Sequence, residues 1–137
     1  MPIHAFSFQN MVLTKKTETI GGAEVRYFSM KAGGEDYFGQ PFVSFEFDIP
    51  DAGRYTVATE AVLGPDQGLV RMFLNENPAG DAKDLFSDER RVSGVLPLGV
   101  LALRSGINVL YFKVTGKNPR AGGFGFEPVS FVFERVD

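Results

Sequence analysis

The 137-residue chain has no cysteine, no tryptophan and a single histidine, His4. Without cysteine there is no disulfide framework, although this alone does not fix the compartment. One histidine excludes H-E-x-x-H and every multi-histidine metal site. A Ser-His-Asp triad would have to recruit His4, at the N-terminal end of the chain. There is no G-x-S-x-G elbow. Gly116-Lys117-Asn118 lacks the hydroxyl residue and upstream glycine of a phosphate loop, and Gly123-Phe124-Gly125 lacks the rest of a dinucleotide fingerprint. The formal charge is −3, without a long run of either sign. That balance gives no support for the basic face that nucleic acid or an anionic membrane would select, so neither is expected as a partner. No apolar stretch is long enough to span a bilayer, and no signal-peptide core opens the sequence. Met1-Pro2 fits the start of a domain excised from a longer protein, which leaves the compartment open.

What is present is aromatic and turn-rich. There are 14 Phe, 16 Gly and 8 Pro, with the Gly and Pro spread along the chain. Apolar residues make up 44% and charged residues 23%, ordinary values for a folded domain. A chain of this length buries roughly 65–70% of its unfolded surface, enough for a core without a metal or disulfide staple. One domain over 1–137 is expected.

Alternation, not helical periodicity, recurs throughout. Phe42 to Ile49 reads FVSFEFDI, with Val43, Phe45, Phe47 and Ile49 on one face. Pro50-Asp51-Ala52-Gly53 is a turn, and Arg54 to Leu63 returns with Tyr55, Val57, Thr59 and Ala61 in alternation. Leu69 to Asn75 follows, and Asn75 to Gly80 reads as the turn that closes it. Gly94 to Leu103 and Ile107 to Thr115 are expected to pair around Arg104-Ser105-Gly106, and a last strand covers Pro128 to Val136. Phe6 to Leu13 and Glu24 to Met30 are the strands expected at the front. Within the latter, Tyr27 and Phe28 are neighbours, so one faces the core and the other is a candidate outer-face contact. Lys31 to Pro41 and Asp81 to Ser93 read as long loops, the second with at most a helical turn near Asp84 to Glu89. Short strands between Gly/Pro turns indicate an all-β, two-sheet antiparallel sandwich or a barrel. The expected core is Val43, Phe45, Phe47, Val57, Val70, Met72, Leu110 and Phe112. Val129 or Val132 and Phe131 or Phe133 complete it, because a one-residue slip inverts a strand's faces.

Several segments recur in a familiar order. Pro50-Asp51-Ala52-Gly53-Arg54-Tyr55 follows the first alternating strand, then Asp66-Gln67-Gly68-Leu69-Val70 and Asp84-Leu85-Phe86-Ser87. Leu98-Gly99 through Leu103, Gly106, Asn108 and Leu110 come next, and Gly116-Lys117-Asn118-Pro119-Arg120-Ala121-Gly122-Gly123-Phe124 precedes the final strand. This order, over roughly the last two thirds of the chain, resembles carbohydrate-binding modules of the galactose-binding-like jelly-roll type. Asn75-Glu76-Asn77 departs from the usual Asp-Gly hairpin, and Glu127-Pro128-Val129 from the usual final strand.

The resemblance implies a jelly-roll sandwich and a non-catalytic accessory domain of bacterial, secreted type. Its ligand would be a polysaccharide or oligosaccharide, and its partner a covalently linked catalytic domain. An extracellular or periplasmic setting follows if the parent protein is secreted. No cofactor is required, but related jelly rolls commonly hold a structural calcium. Glu18, Glu24, Asp48, Asp51 and Asp66 are the oxygen donors available, without a D-x-D-x-D-G loop. The alternative is a structural or interaction domain that packs on a neighbouring domain or protomer without binding sugar. A small hydrolase or lyase would need paired carboxylates, for which Glu35, Asp36, Asp84, Asp88 and Glu89 are available on expected loops.

The candidate ligand-binding residues are Asn118, Arg120, Phe124, Tyr37 and Lys117. Sugar recognition uses a ring to stack on C–H bonds and planar polar groups to pair hydroxyls. Asn118 offers donor and acceptor, Arg120 a rigid fork, and Phe124 or Tyr37 a ring. The competing structural reading has Asn118 bonding backbone, Phe124 in the core and Tyr37 with Phe38 capping one end of the sandwich.

Overall fold

A computed structural model describes residues 13–30, 42–74 and 77–136. The strands are β1 (Leu13–Ile20), β2 (Ala23–Met30), β3 (Phe42–Ile49), β4 (Gly53–Leu63) and β5 (Leu69–Leu74). They are followed by β6 (Asn77–Asp84), β7 (Arg91–Val92), β8 (Leu96–Leu103), β9 (Gly106–Gly116) and β10 (Pro128–Arg135). One four-stranded sheet runs β3-β9-β5-β6. In the other, β4 pairs with β10 on one side and with β8 and β7 on the other. All strand pairings within these sheets are antiparallel, and the fold is a β-sandwich.

The core lies between the sheets. Val43, Phe45, Phe47 and Ile49 of β3 meet Tyr55, Val57 and Ala61 of β4, all buried as their alternation predicts. Val70, Met72, Leu110 and Phe112 are buried too. Phe131 and Phe133 both pack into this core, whereas Val132 faces outward, 36% exposed, and Val129 joins a smaller cluster with Ile20, Tyr27 and Val62. A register irregularity between Pro128 and Ser130 separates those two environments.

Two expectations are corrected, the pairing of the two segments around Arg104-Ser105-Gly106 and the turn and loop read from Asn75 to Ser93. Strands β8 and β9 cover most of the two expected segments, but they do not pair with each other: β8 lies on β4, and β9 on β3 and β5. The corner between them is tied by Asn108, whose Nδ2 donates to Arg104 O (2.8 Å) and Gly106 O (3.2 Å). The stretch read as turn and loop forms β6, with Pro78 and Gly80 inside it. Their presence is tolerated because β6 is an edge strand, pairing with β5 alone. No helical turn occurs near Asp84 to Glu89, where Phe86 instead bridges Gly64. The front hairpin is β1–β2, closed by Gly21-Gly22 at φ 61° and 84°, the positive pair a two-residue turn demands. Of Phe6–Leu13, all but Leu13 lies outside the described residues.

Candidate functional site

Three connections meet at one end of the sandwich: Gly64–Gly68, Asp84–Arg90 and Lys117–Glu127. Backbone hydrogen bonds hold them together. Gly122 N donates to Pro65 O (2.8 Å), Gly125 N to Asp66 O (2.9 Å), Leu85 N to Gly68 O (3.0 Å) and Ser87 N to Gly64 O (3.1 Å). A platform built this way presents side chains from a fixed backbone, as a recognition site requires.

Two of the expected ligand-binding residues lie side by side here. Asn118 Nδ2 donates to Asp84 Oδ2 (2.8 Å), and Asn118 Oδ1 accepts from Arg120 N (3.0 Å). Arg120 Nη2 contacts Asp88 Oδ1 at 2.6 Å, and its guanidinium stands 5.0 Å from the centre of the Phe86 ring. The strip is therefore Asp84, Asn118, Phe86, Arg120 and Asp88: amide, carboxylates, fork and ring, largely open to solvent. Phe124 is 47% exposed, and Phe126, two residues on, takes the core position. Lys117 Nζ donates to Ala121 O (2.8 Å) and lies 5.9 Å from the Phe124 ring centre. Tyr37 and Phe38 lie outside the described residues. Asn118 fits both readings, because it bonds backbone and a neighbouring carboxylate at once.

Phe86, Asp84 and Asp88 are partners that the sequence reading did not assign to Asn118 and Arg120. Asp84 Oδ1 accepts from Phe86 N (2.9 Å), a local turn that orients the carboxylate. The D-L-F-S segment carries that turn in its own residues.

A second polar cluster sits at the base of the β1–β2 hairpin. Arg90 donates through Nε to Glu18 Oε2 (2.8 Å) and through Nη2 to Glu18 Oε1 (3.0 Å), a two-pronged pair. Its Nη1 meets Glu127 Oε1 at 3.0 Å, and Gln67 Nε2 donates to that same oxygen (3.3 Å). Tyr27 Oη donates to Glu18 Oε1 (2.9 Å). The Arg90 hydrogen bonds hold the Glu18 carboxyl below its ordinary range. Burial, with the carboxylates close by, pushes the Tyr27 phenol up to about 12. Tyr27 and Phe28 are both packed, the first in this cluster and the second edge-on to Phe45 at 5.8 Å, so neither is an open outer-face contact.

The cluster also bears on calcium. Glu18 is engaged by Arg90 and Tyr27, Glu24 stands 3.7 Å from Arg26, and Asp48, Asp51 and Asp66 lie on β3 and in two separate turns. These five carboxylates do not converge, and among the described residues no group of three or more His, Asp or Glu is placed to share an ion.

No protein-family model and no curated protein matches this chain. Solved structures with the same fold include a Paenibacillus xanthan lyase, at 21% identity and a TM-score of 0.74. The likeness covers 98% of this chain and 12% of that one. A GH26-CBM35 β-(1,4)-mannanase of Podospora anserina is similar at 12% identity and a TM-score of 0.60, over 97% of this chain and 27% of its own. Both are carbohydrate-active enzymes, and this chain spans only a small part of either.

Proposed function

We propose that this chain is a non-catalytic carbohydrate-binding domain that holds an attached enzyme on its polysaccharide. The observation that carries this reading is the likeness of nearly the whole chain to a piece, 12%, of a xanthan lyase. In this reading the domain is an accessory to a larger catalytic body, and its partner a covalently linked catalytic domain outside the cell or in the periplasm. The loop-end strip supplies the chemistry: Asn118 and Arg120 for hydroxyls, Phe86 and Phe124 as rings, and Asp84 and Asp88 as acceptors. Sugar hydroxyls would exchange with the existing Asn118–Asp84 and Arg120–Asp88 contacts, a trade that yields little net free energy per bond. Binding requires no cofactor in this reading.

Affinity electrophoresis through gels containing xanthan or β-(1,4)-mannan tests it. The parent is expected to be retarded by at least one polymer, and Asn118→Ala and Arg120→Ala to run faster at an unchanged melting temperature. A second reading has one observation in its favour. Asn118 and Arg120 already have protein partners, as they would in a structural domain that packs on its neighbour. Absence of retardation across a broad glycan panel would select that reading.

A further inference from the structure

We infer that the outer face of the sheet β10-β4-β8 is a self-association surface, covered by a second copy of this chain laid across it with its strands reversed. Alternation along β4 sends Tyr55, Val57 and Thr59 inward, so Arg54, Thr56, Ala58 and Glu60 share the outer side. The registers set Val100 and Glu134 beside Thr56, Pro97 and Val132 beside Ala58, and Ala102 beside Arg54. Apart from Glu134, on the edge strand β10, the side chains flanking Thr56 and Ala58 are aliphatic. Val100 is 45% exposed, Val132 36%, and Val95, at the approach to β8, 60%. A lone exposed valine is ordinary, but a run of them across three strands marks a contact surface. At the far end of β4 the same side already packs on protein, because Val62 is buried against Ile20 and Tyr27 of the β1–β2 hairpin. No aromatic ring stands between Arg54 and Glu60 on the outer side among the described residues, so this stretch lacks the stacking surface a sugar needs and suits a protein.

The charges select the occupant. Arg54 and Glu60 stand about 20 Å apart along β4, at opposite ends of the aliphatic stretch. Neither forms an ion pair with another described residue. A two-fold axis lying in the interface, perpendicular to β4 and level with Val57, sets Arg54 of each copy over Glu60 of the other. It also sets Thr56 over Ala58 and Val100 over Pro97, so the centre is dry and an ion pair falls at each end. The other two-fold, along the strands, stacks Arg54 on Arg54 and Glu60 on Glu60, and like charges brought together oppose association. Sheets packed face to face cross at about 30°, an offset that the long Arg54 and Glu60 side chains can span. Three strands over four rows cover roughly 15 by 25 Å, so two copies bury on the order of 800 Å², the scale of a weak, exchanging dimer. The same two-fold points the loop-end strips of the two copies in opposite directions, so on the proposed function the dimer links two polysaccharide chains.

Sedimentation equilibrium of the chain from about 10 µM to about 1 mM is the test, with a dimer of Kd roughly 10–100 µM expected. Arg54→Glu and Glu60→Arg should each weaken it about tenfold or more, because either reversal sets like charges together at both ends of the dimer. An equimolar mixture of the two variants brings opposite charges back at both ends and should associate as the parent does. Misfolded variants could not regain association on mixing, so that arm separates a surface effect from a folding defect. Val100→Lys, in the dry centre, should abolish the dimer at an unchanged melting temperature. A chain that stays monomeric over the whole range overturns self-association and leaves the valine face to a different protein. A dimer that both charge variants leave intact, or whose variants fail to recover on mixing, overturns this pairing. None of these outcomes depends on polysaccharide, so the proposed function stands or falls separately.

Discussion

Phe45 sits where several rings converge. Phe131, Phe28, Phe112 and Phe47 approach it at 5.2, 5.8, 5.9 and 6.2 Å, and it is wholly buried. Phe45→Ala should cost about 3–5 kcal/mol, the transfer term plus an unfilled cavity. Chemical denaturation that finds parent-like stability would show that this cluster is not the centre of the core. At the hairpin base, the Glu18 carboxyl titrates below its ordinary value, so folding favours its ionised form. Its contribution is present above the ordinary carboxyl pKa of 4.5 and fades as pH falls through the lowered value. Tyr27 works in the opposite sense. Its stabilisation is complete below 10, the ordinary phenol value, and is lost as pH rises towards about 12. Melting temperature against pH should therefore fall at both extremes. Arg90→Gln should flatten the acid limb and Tyr27→Phe the alkaline one, and a curve unchanged in both variants would contradict the cluster's role.

Among the elements, β6 carries the most exacting backbone. Gly80 has φ 74°, and a Cβ there would run into Leu98 O of β8, across the gap between the two sheets. Gly80→Ala should cost about 1–3 kcal/mol, read as a lowered melting temperature, from strain and from the displaced neighbour. A neutral outcome would mean that β6 and β8 are not held this closely. The same strand marks where the sequence stops being legible. β3 and β4 were readable because Phe45, Phe47, Tyr55 and Val57 alternate cleanly between a wet and a dry face. NPAGDAKD has no such alternation, and becomes a strand because β5 offers it a ladder. β1, LTKKTETI, is equally polar and folds back from Gly21-Gly22, a turn signal that outweighs its composition. The β8–β9 segments look like a hairpin because local sequence specifies strands but not partners. The choice between Val129 and Val132 stays open in the sequence because the irregularity between Pro128 and Ser130 arises in the pairing with β4.

At the scale of the whole molecule, strands successive in the chain mostly belong to opposite sheets, so distant loops are gathered at one end. That is why Asn118 and Arg120 could be nominated from their chemistry, while Asp84, Phe86 and Asp88, some thirty residues away, could not be paired with them. The loop-end strip is open rather than enclosed, and an open surface binds sugar weakly. A Kd in the micromolar to millimolar range is expected, worth roughly 4–8 kcal/mol. The proposed site recruits sugar through side chains alone, so on that proposal a chelator should leave the affinity unchanged, and a loss of binding in EDTA would point to a bound metal.

The proposed binding of polysaccharide can be tested on the protein alone. Its most direct test is affinity electrophoresis of the isolated chain across a panel of acidic and neutral polysaccharides, with a non-binding protein of similar size as the reference. Retardation by at least one polymer, reduced by Asn118→Ala, is expected. Co-migration with the reference in every gel would contradict it.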